Sequence, residues 1–181
     1  MASRVILTYK DYEALPADGR RYELHEGEVS VTPARGSKHQ EVSLNLAVTL
    51  YSHVKQRALG KILEAPIDCI LSDTTIVQPD IVYVETRRLA AISARGIEGP
   101  PTLVVEILAP STVQVDRGAK AQLYGRYGVP HYWIVDPEVR SIEAYTLTGD
   151  AYQITRRLEG AQPAALPPFP DLALNPTSVW P

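Results

Sequence analysis

Apolar residues along this chain follow two periods, one of two and one near 3.6, and the switches between them outline its elements. In "RRYELHEGEVSVTP", Tyr22 and Leu24 alternate toward a turn at "HEG", and Val29 and Val31 alternate back, which predicts a β-hairpin. Residues 38–59 change to helical spacing. Val42, Leu46, Leu50 and Val54 step by four, Val48, Tyr51 and Leu59 widen the stripe, Ser37 stands as N-cap and Gly60 closes the helix. "LTYKDYEALP" predicts a short helix capped by Thr8 and stopped at Pro16, and "KILEAPI" and "IDCILS" read as strands. "TLVVEILAP" is a near-continuous apolar run of strand length, the pattern of a central strand buried on both faces. Ser111 and Thr112 then cap a helix over 113–128, and "PHYWIVDP", "RSIEAYTL" and "DAYQITRRL" give three more strands. "ARGIEGPP" reads as a turn-rich linker, and the proline-rich residues 161–181 as an irregular tail laid over the body. The sum is one α+β or α/β domain over 1–181, mostly antiparallel, with two main helices on the sheet.

Two residues break these patterns. In "TTIVQPDIVYVE", Pro79 and Asp80 interrupt a strand-like run, although proline cannot donate to a central ladder and aspartate is a poor strand former. Either Pro79 marks an edge or bulge beside a merely solvated Asp80, or the irregularity aims a carboxylate. Glu106 sits inside the apolar run "TLVVEILAP", where a carboxylate is costly unless something satisfies it. One strand-and-loop excursion separates the two, so their strands can be neighbours, with the two carboxylates raising each other's pKa unless a cation lies between. A hard divalent ion such as Mg²⁺ is one such cation, and an arginine in a buried ion pair is another. On the following helix Asp116, Lys120 and Tyr124 are spaced four apart on one face, from which Lys120 can reach back toward the carboxylates.

Composition narrows the setting. The 181 residues, 45% hydrophobic and 22% charged, are those of an ordinary globular protein. The single cysteine, Cys69, permits neither an internal disulfide nor a zinc cage and fits a reducing compartment. No apolar run approaches the roughly 20 residues of a membrane span, and the N-terminus lacks the apolar core of a signal peptide, so the expected location is cytoplasmic. A net charge of −3 argues against a dedicated nucleic-acid coat protein. Local basic groups at Arg20 and Arg21, Arg35 and Lys38, Lys55, Arg57 and Lys61, and Arg156 and Arg157 are either solvated surface or places to track phosphates.

The "PD" of Pro79–Asp80 on one strand and a glutamate on the next resemble the PD-(D/E)XK nuclease superfamily, the restriction-endonuclease-like fold. More narrowly, "YELHEGEV", "KHQEV", "VQPDIVYV", "PTLVVEILAPST", "DRGAKAQLYGRYGVPHYWIVDP" and "RSIEAYTL" resemble, in order, the large bacterial endonuclease family often called Uma-two, over Leu7 to Leu174. The resemblance implies a mixed central sheet flanked by two main helices, with an N-terminal hairpin and C-terminal antiparallel strands. It implies a metal-dependent nuclease in which Asp80, Glu106 and the Ile107 carbonyl hold Mg²⁺ or Mn²⁺. The superfamily lysine belongs two residues after the glutamate, where this chain has Leu108, and the resemblance implies that Lys120 takes its place. Glu23 matches a family glutamate and either faces the same cleft or pairs with Arg20 or Arg21. His39 and Glu41 either belong to the site or are ordinary helix-start residues. Asp116 and Tyr124 are accessory candidates, while His25, His53 and His131 read as structural, and Asp136 as a turn residue. The implied partner is nucleic acid, DNA before RNA, without a membrane, and the implied assembly a homodimer through the aromatic strands or the tail. Two other readings stay open, an inactive domain that keeps the fold to bind nucleic acid or a protein, and a phosphoesterase for a small substrate.

Overall fold

The computed structural model describes residues 5–32, 34–110 and 113–181. Along the chain, α1 (Tyr9–Glu13) precedes the hairpin β1 (Arg21–His25) and β2 (Glu28–Thr32), then the long helix α2 (Ser37–Gln56). Next come β3 (Gly60–Glu64), β4 (Cys69–Ser72), β5 (Thr75–Val77), β6 (Ile81–Glu85), β7 (Ile92–Ser93), β8 (Gly96–Glu98) and β9 (Leu103–Ile107). A π-helical turn, Val115–Lys120, leads into α3 (Ala121–Arg126), followed by β10 (His131–Asp136), β11 (Ser141–Thr148), β12 (Ala151–Leu158), β13 (Ala164–Leu166) and β14 (Phe169–Leu174). No helix among the described residues is long and apolar enough to cross a membrane.

Among the described residues twelve of the strands form two six-stranded sheets, and β13 and β14 pair separately. The central sheet runs β12-β11-β10-β9-β6-β3, with β9 and β10 parallel and its other neighbours antiparallel. The second runs β2-β1-β5-β4-β8-β7 and absorbs the N-terminal hairpin, so that hairpin is the flank of a larger sheet. All five residues of β9 are buried, because both faces of the central sheet are covered. On one face Val42, Leu46, Leu50 and Val54 of α2 pack with Val105, Ile107 and Trp133. On the other, Leu123 and Tyr124 of α3 pack with Val104, Tyr132 and Ile134, joined by Cys69, Val77 and Ile97 of the second sheet. The Pro79 irregularity lies where the chain leaves β5 in the second sheet and enters β6 in the central one. A proline that cannot donate suits that corner, since no ladder continues through it.

Some expected details hold and others change. Thr8 caps α1, its amide and hydroxyl both donating to Asp11 Oδ2 at 2.8 Å. The cap of α2 is Gly36, not Ser37, and the helix stops at Gln56, with Ala58 in the left-handed region at φ 52°. Gly60 instead opens β3 at φ 146°, where a Cβ would run into the Val84 carbonyl oxygen. Val48 and Tyr51, read as widening the buried stripe, are exposed, because sheet and tail cover only the Val42–Leu46–Leu50–Val54 side. The "ARGIEGPP" linker contributes β8, paired with β7. The Ser111 and Thr112 caps lie outside the described residues, and the helix after them turns π-helical over Val115–Lys120. The tail is not irregular throughout, since β13 and β14 form an antiparallel pair.

Prolines masked the strand period of that tail, and its apolar side chains are core. Phe169 packs on Tyr83, Trp133 and His53 with ring centroids 4.9, 6.0 and 5.7 Å away, and Trp133 Nε1 donates to the Pro167 carbonyl at 2.6 Å. These burials remove Phe169 and Trp133 from any exposed contact surface. Phe169→Ala should lower the unfolding free energy in urea by about 3–5 kcal/mol, as for other buried aromatics. A change inside the scatter of surface substitutions would contradict this account of the tail.

Candidate metal and nuclease centre

The β6–β9 register, Ile81 opposite Val105, brings Asp80 opposite Glu106 one step beyond the last pair. Asp80 at the corner between sheets is buried and fully occupied. Its Oδ1 accepts from both terminal nitrogens of Arg21 at 3.1 Å, and its Oδ2 from the Ile107 amide at 2.8 Å and His39 Nε2 at 3.1 Å. His39 Nε2 also lies 3.1 Å from the Ile107 carbonyl. Both neighbours of that nitrogen are acceptors, so it carries the proton. Burial alone would raise the Asp80 carboxyl, but His39, Arg21 and Arg35 outweigh it and hold the group well below the usual carboxylate range.

Behind Asp80 lies a second, deeper group. Lys120 Nζ donates to Glu106 Oε1 at 3.0 Å and Glu23 Oε1 at 3.1 Å, and stands 3.8 Å from Asp116 Oδ1. All four side chains are buried. Tyr124 donates to Glu106 Oε1 at 2.6 Å, the Gln78 amide to Glu23 Oε1 at 2.8 Å, and His25 Nε2 lies 3.1 Å from Glu23 Oε2. Tyr132 from β10 donates to the Asp116 carbonyl at 2.8 Å and pins the π turn from which Lys120 projects. Single π turns of this kind recur at functional sites.

The electrostatics follow from the crowd. Burial opposes the charge on Lys120, but Glu106, Glu23 and Asp116 more than compensate and hold its ammonium protonated above the ordinary lysine value. Burial also opposes ionisation of Glu23, yet Lys120, His25 and the Gln78 amide bring its carboxyl down to about 2. Glu106 goes the other way. Burial, with the charges of Asp116, Asp80 and Glu23, outweighs Lys120 and raises it to about 8. Four carboxyl groups thus face two fixed cations, Lys120 and Arg21, and the surplus is relieved by a proton that Glu106 keeps up to about pH 8.

No three His, Cys, Asp or Glu side chains among the described residues form a ready-made metal cluster. The donor chemistry nonetheless fits a hard divalent ion. Glu106 Oε2 is buried with no hydrogen-bond partner among the described residues, the Ile107 carbonyl follows on the same strand, and Asp80 is adjacent. Asp80 opens onto a cleft of about 260 Å³ lined by Arg20, Arg21, Arg35, His39 and Glu64.

Of the residues singled out from the sequence, Glu23, His39, Asp80, Glu106, Asp116, Lys120 and Tyr124 come together, and Glu41 stays on the exposed side of α2. Arg21 pairs with Asp80, 59 residues away, and not with Glu23. His25, read as structural, is a direct partner of Glu23, and the Gln78 amide was overlooked. The one available signal for Gln78 was its place two residues before Asp80. Asp136 behaves as a turn residue, its Oδ1 accepting the Glu138 amide at 3.0 Å.

The chain matches the family model Uma2, described as "Putative restriction endonuclease", over residues 9–177. No curated protein matches it. Five chains of solved structures do. One, a putative nuclease belonging to DUF820 from Anabaena variabilis, superposes with a TM-score of 0.77 at 19% identity, covering 96% of this chain and 97% of the other.

Glu106 and Glu23 make opposite contributions to stability. An acid whose folded pKa lies above its unfolded value keeps a proton that the unfolded chain has released. Between the ordinary glutamate value and about 8, Glu106 therefore lowers stability as pH rises. Glu23 contributes stability above the ordinary value that is lost as pH falls toward about 2. Glu106→Gln keeps an acceptor for Lys120 and Tyr124, and in chelator it should raise the melting temperature over the parent at pH 8 but not at pH 5. A difference independent of pH would contradict the assignment.

Proposed function

The chain belongs to the Uma2 family of restriction-endonuclease-like proteins, and we propose that it is a metal-dependent nuclease that hydrolyses phosphodiester bonds in DNA. The observation that carries this reading is the buried Lys120 ammonium, 3.0 Å from Glu106 and 3.1 Å from Glu23, beside the Asp80 corner. It answers the loss of the strand lysine at Leu108, whose side chain is buried among Tyr124, Tyr132 and Ile134.

Asp80, Glu106 and the Ile107 carbonyl would hold Mg²⁺ or Mn²⁺. When bound, such an ion supplies Lewis-acid activation of water and of the phosphate. The chain's own groups do the rest. Arg20, Arg21 and Arg35 line the approach and give it the positive charge that draws backbone phosphates. Arg21 and His39 hold Asp80 until it is needed as a ligand. Two protons of Lys120 are committed to Glu106 and Glu23, with Asp116 at 3.8 Å, so the ammonium fixes the Glu106 carboxyl and sets a positive charge behind the Asp80 corner. Tyr124 fixes the rotamer of Glu106. We further propose a cytoplasmic setting and a homodimeric assembly. The readings as a binding-only domain and as a small-substrate phosphoesterase are less well supported. A relic would have no reason to keep a lysine buried against carboxylates, and the arginine-lined cleft suits a polyanion.

The test is cleavage of plasmid and oligonucleotides with and without Mg²⁺ or Mn²⁺, coupled to metal titration by calorimetry. Lys120→Met keeps the volume of the stem and should leave metal binding largely intact while lowering cleavage by about 10²-fold or more, the scale of losing a positioned electrostatic group. Asp80→Asn should weaken the metal itself. A parent that cuts nothing with either ion, or a Lys120→Met variant that cuts at the parent's rate, would overturn the reading.

A further inference from the structure

The central sheet has two outer strands of different character. At one edge β12 carries Arg156 and Arg157, exposed charges of the kind that block strand addition. At the other edge β3 reads Gly60-Lys61-Ile62-Leu63-Glu64 and lies beside an apolar helix face. Leu44, Val48 and Tyr51 of α2, spaced to share one side, are 56%, 55% and 47% exposed. They border a groove with Ile62 and Glu64 that continues past Lys55, Ala58 and Gly60. The core does not account for these side chains, because α2 buries its opposite stripe.

The free edge of β3 has a defined hydrogen-bonding phase. Thr86 N donates to the Leu59 carbonyl at 2.9 Å and Ala65 N to the Asp80 carbonyl at 3.0 Å, so the odd-numbered residues turn their polar groups toward β6. Alternation then turns those of Gly60, Ile62 and Glu64 outward. A two-fold axis perpendicular to the sheet at Ile62 pairs Ile62 with its copy, and Gly60 with Glu64 of the second copy. Every outward group in the strand is then matched. The same axis sets the two α2 helices antiparallel on one face, with the stripe centred on Val48. Glu64 of one copy comes to Gly60 of the other, beside which Lys55 stands in the same groove, so unlike charges meet at both ends. On the opposite face the aliphatic stem of Lys61 covers Leu63 of the second copy.

We propose that two copies of this chain associate through β3 and the Leu44–Val48–Tyr51 face of α2, joining the central sheets into one continuous sheet. The inference stands on the shape and charge of this edge and holds whatever the site cleaves. A second copy is the occupant that matches all three features at once, namely the strand edge, the apolar stripe and the Glu64–Lys55 complementarity.

Sedimentation equilibrium of the full chain tests it. The parent should be a dimer at micromolar concentration. Val48→Glu should be a monomer with unchanged circular dichroism and melting. Lys55→Glu and Glu64→Lys should each weaken the dimer by about tenfold or more, since like charges then meet across the axis, and the double variant should recover the parent's affinity. A monomeric parent, a Val48→Glu variant that stays dimeric, or charge reversals that do not compensate would each overturn the proposal.

Discussion

An ammonium group sealed among carboxylates organises this molecule. Taking Lys120 out of water is costly, and the cost is offset only if several anions with good geometry surround the charge. Glu23 comes from β1 in the second sheet, Glu106 from the middle strand of the first, and Asp116 from the π turn that carries the lysine itself. The strand β1, distant in sequence, is therefore fixed to the same point as β9 and the π turn. Removing the charge would leave like-charged carboxylates facing each other without water, a loss on the order of 3–5 kcal/mol in comparable buried pairs.

The corner at Asp80 is the second half of the same constraint. The chain crosses between sheets there, and the carboxylate is held by a guanidinium, an imidazole and a backbone amide at once. Asp80 faces the cleft and the lysine group lies behind it, so the region is graded from an open arginine-lined approach to a closed anionic interior. Glu106 sits where that interior is least compensated. Its raised pKa and its partnerless Oε2 are two expressions of one surplus of negative charge.

Much of this was legible in the sequence because costly residues advertise themselves. A glutamate in "LVVEI" and an aspartate after a strand-breaking proline are costly in an apolar run, and the four-residue spacing of Asp116, Lys120 and Tyr124 gave their common direction. What stayed hidden were the partners. Arg21 lies two residues from Glu23 on β1, which made a local pair the simplest expectation, but the corner at Pro79 brings Asp80 closer to it. His25 carries no ligand spacing, and its contact with Glu23 exists only once β1 is extended. Local pattern also failed where coverage decides burial. Val48 and Tyr51 have the periodicity of core residues but face no sheet, and the prolines of 161–181 hid the hairpin that buries Phe169.

The central claim is that Lys120 is a permanently charged, buried ammonium. It can be read directly by ¹H–¹⁵N correlation spectroscopy of lysine Nζ groups, with Lys120→Arg for assignment. The account predicts one slowly exchanging NH₃⁺ signal, absent in the variant, that keeps its shift beyond the ordinary lysine value of about 10.4. A Lys120 signal that titrates to the neutral amine at or below that value, or that exchanges as fast as surface lysines, would contradict it.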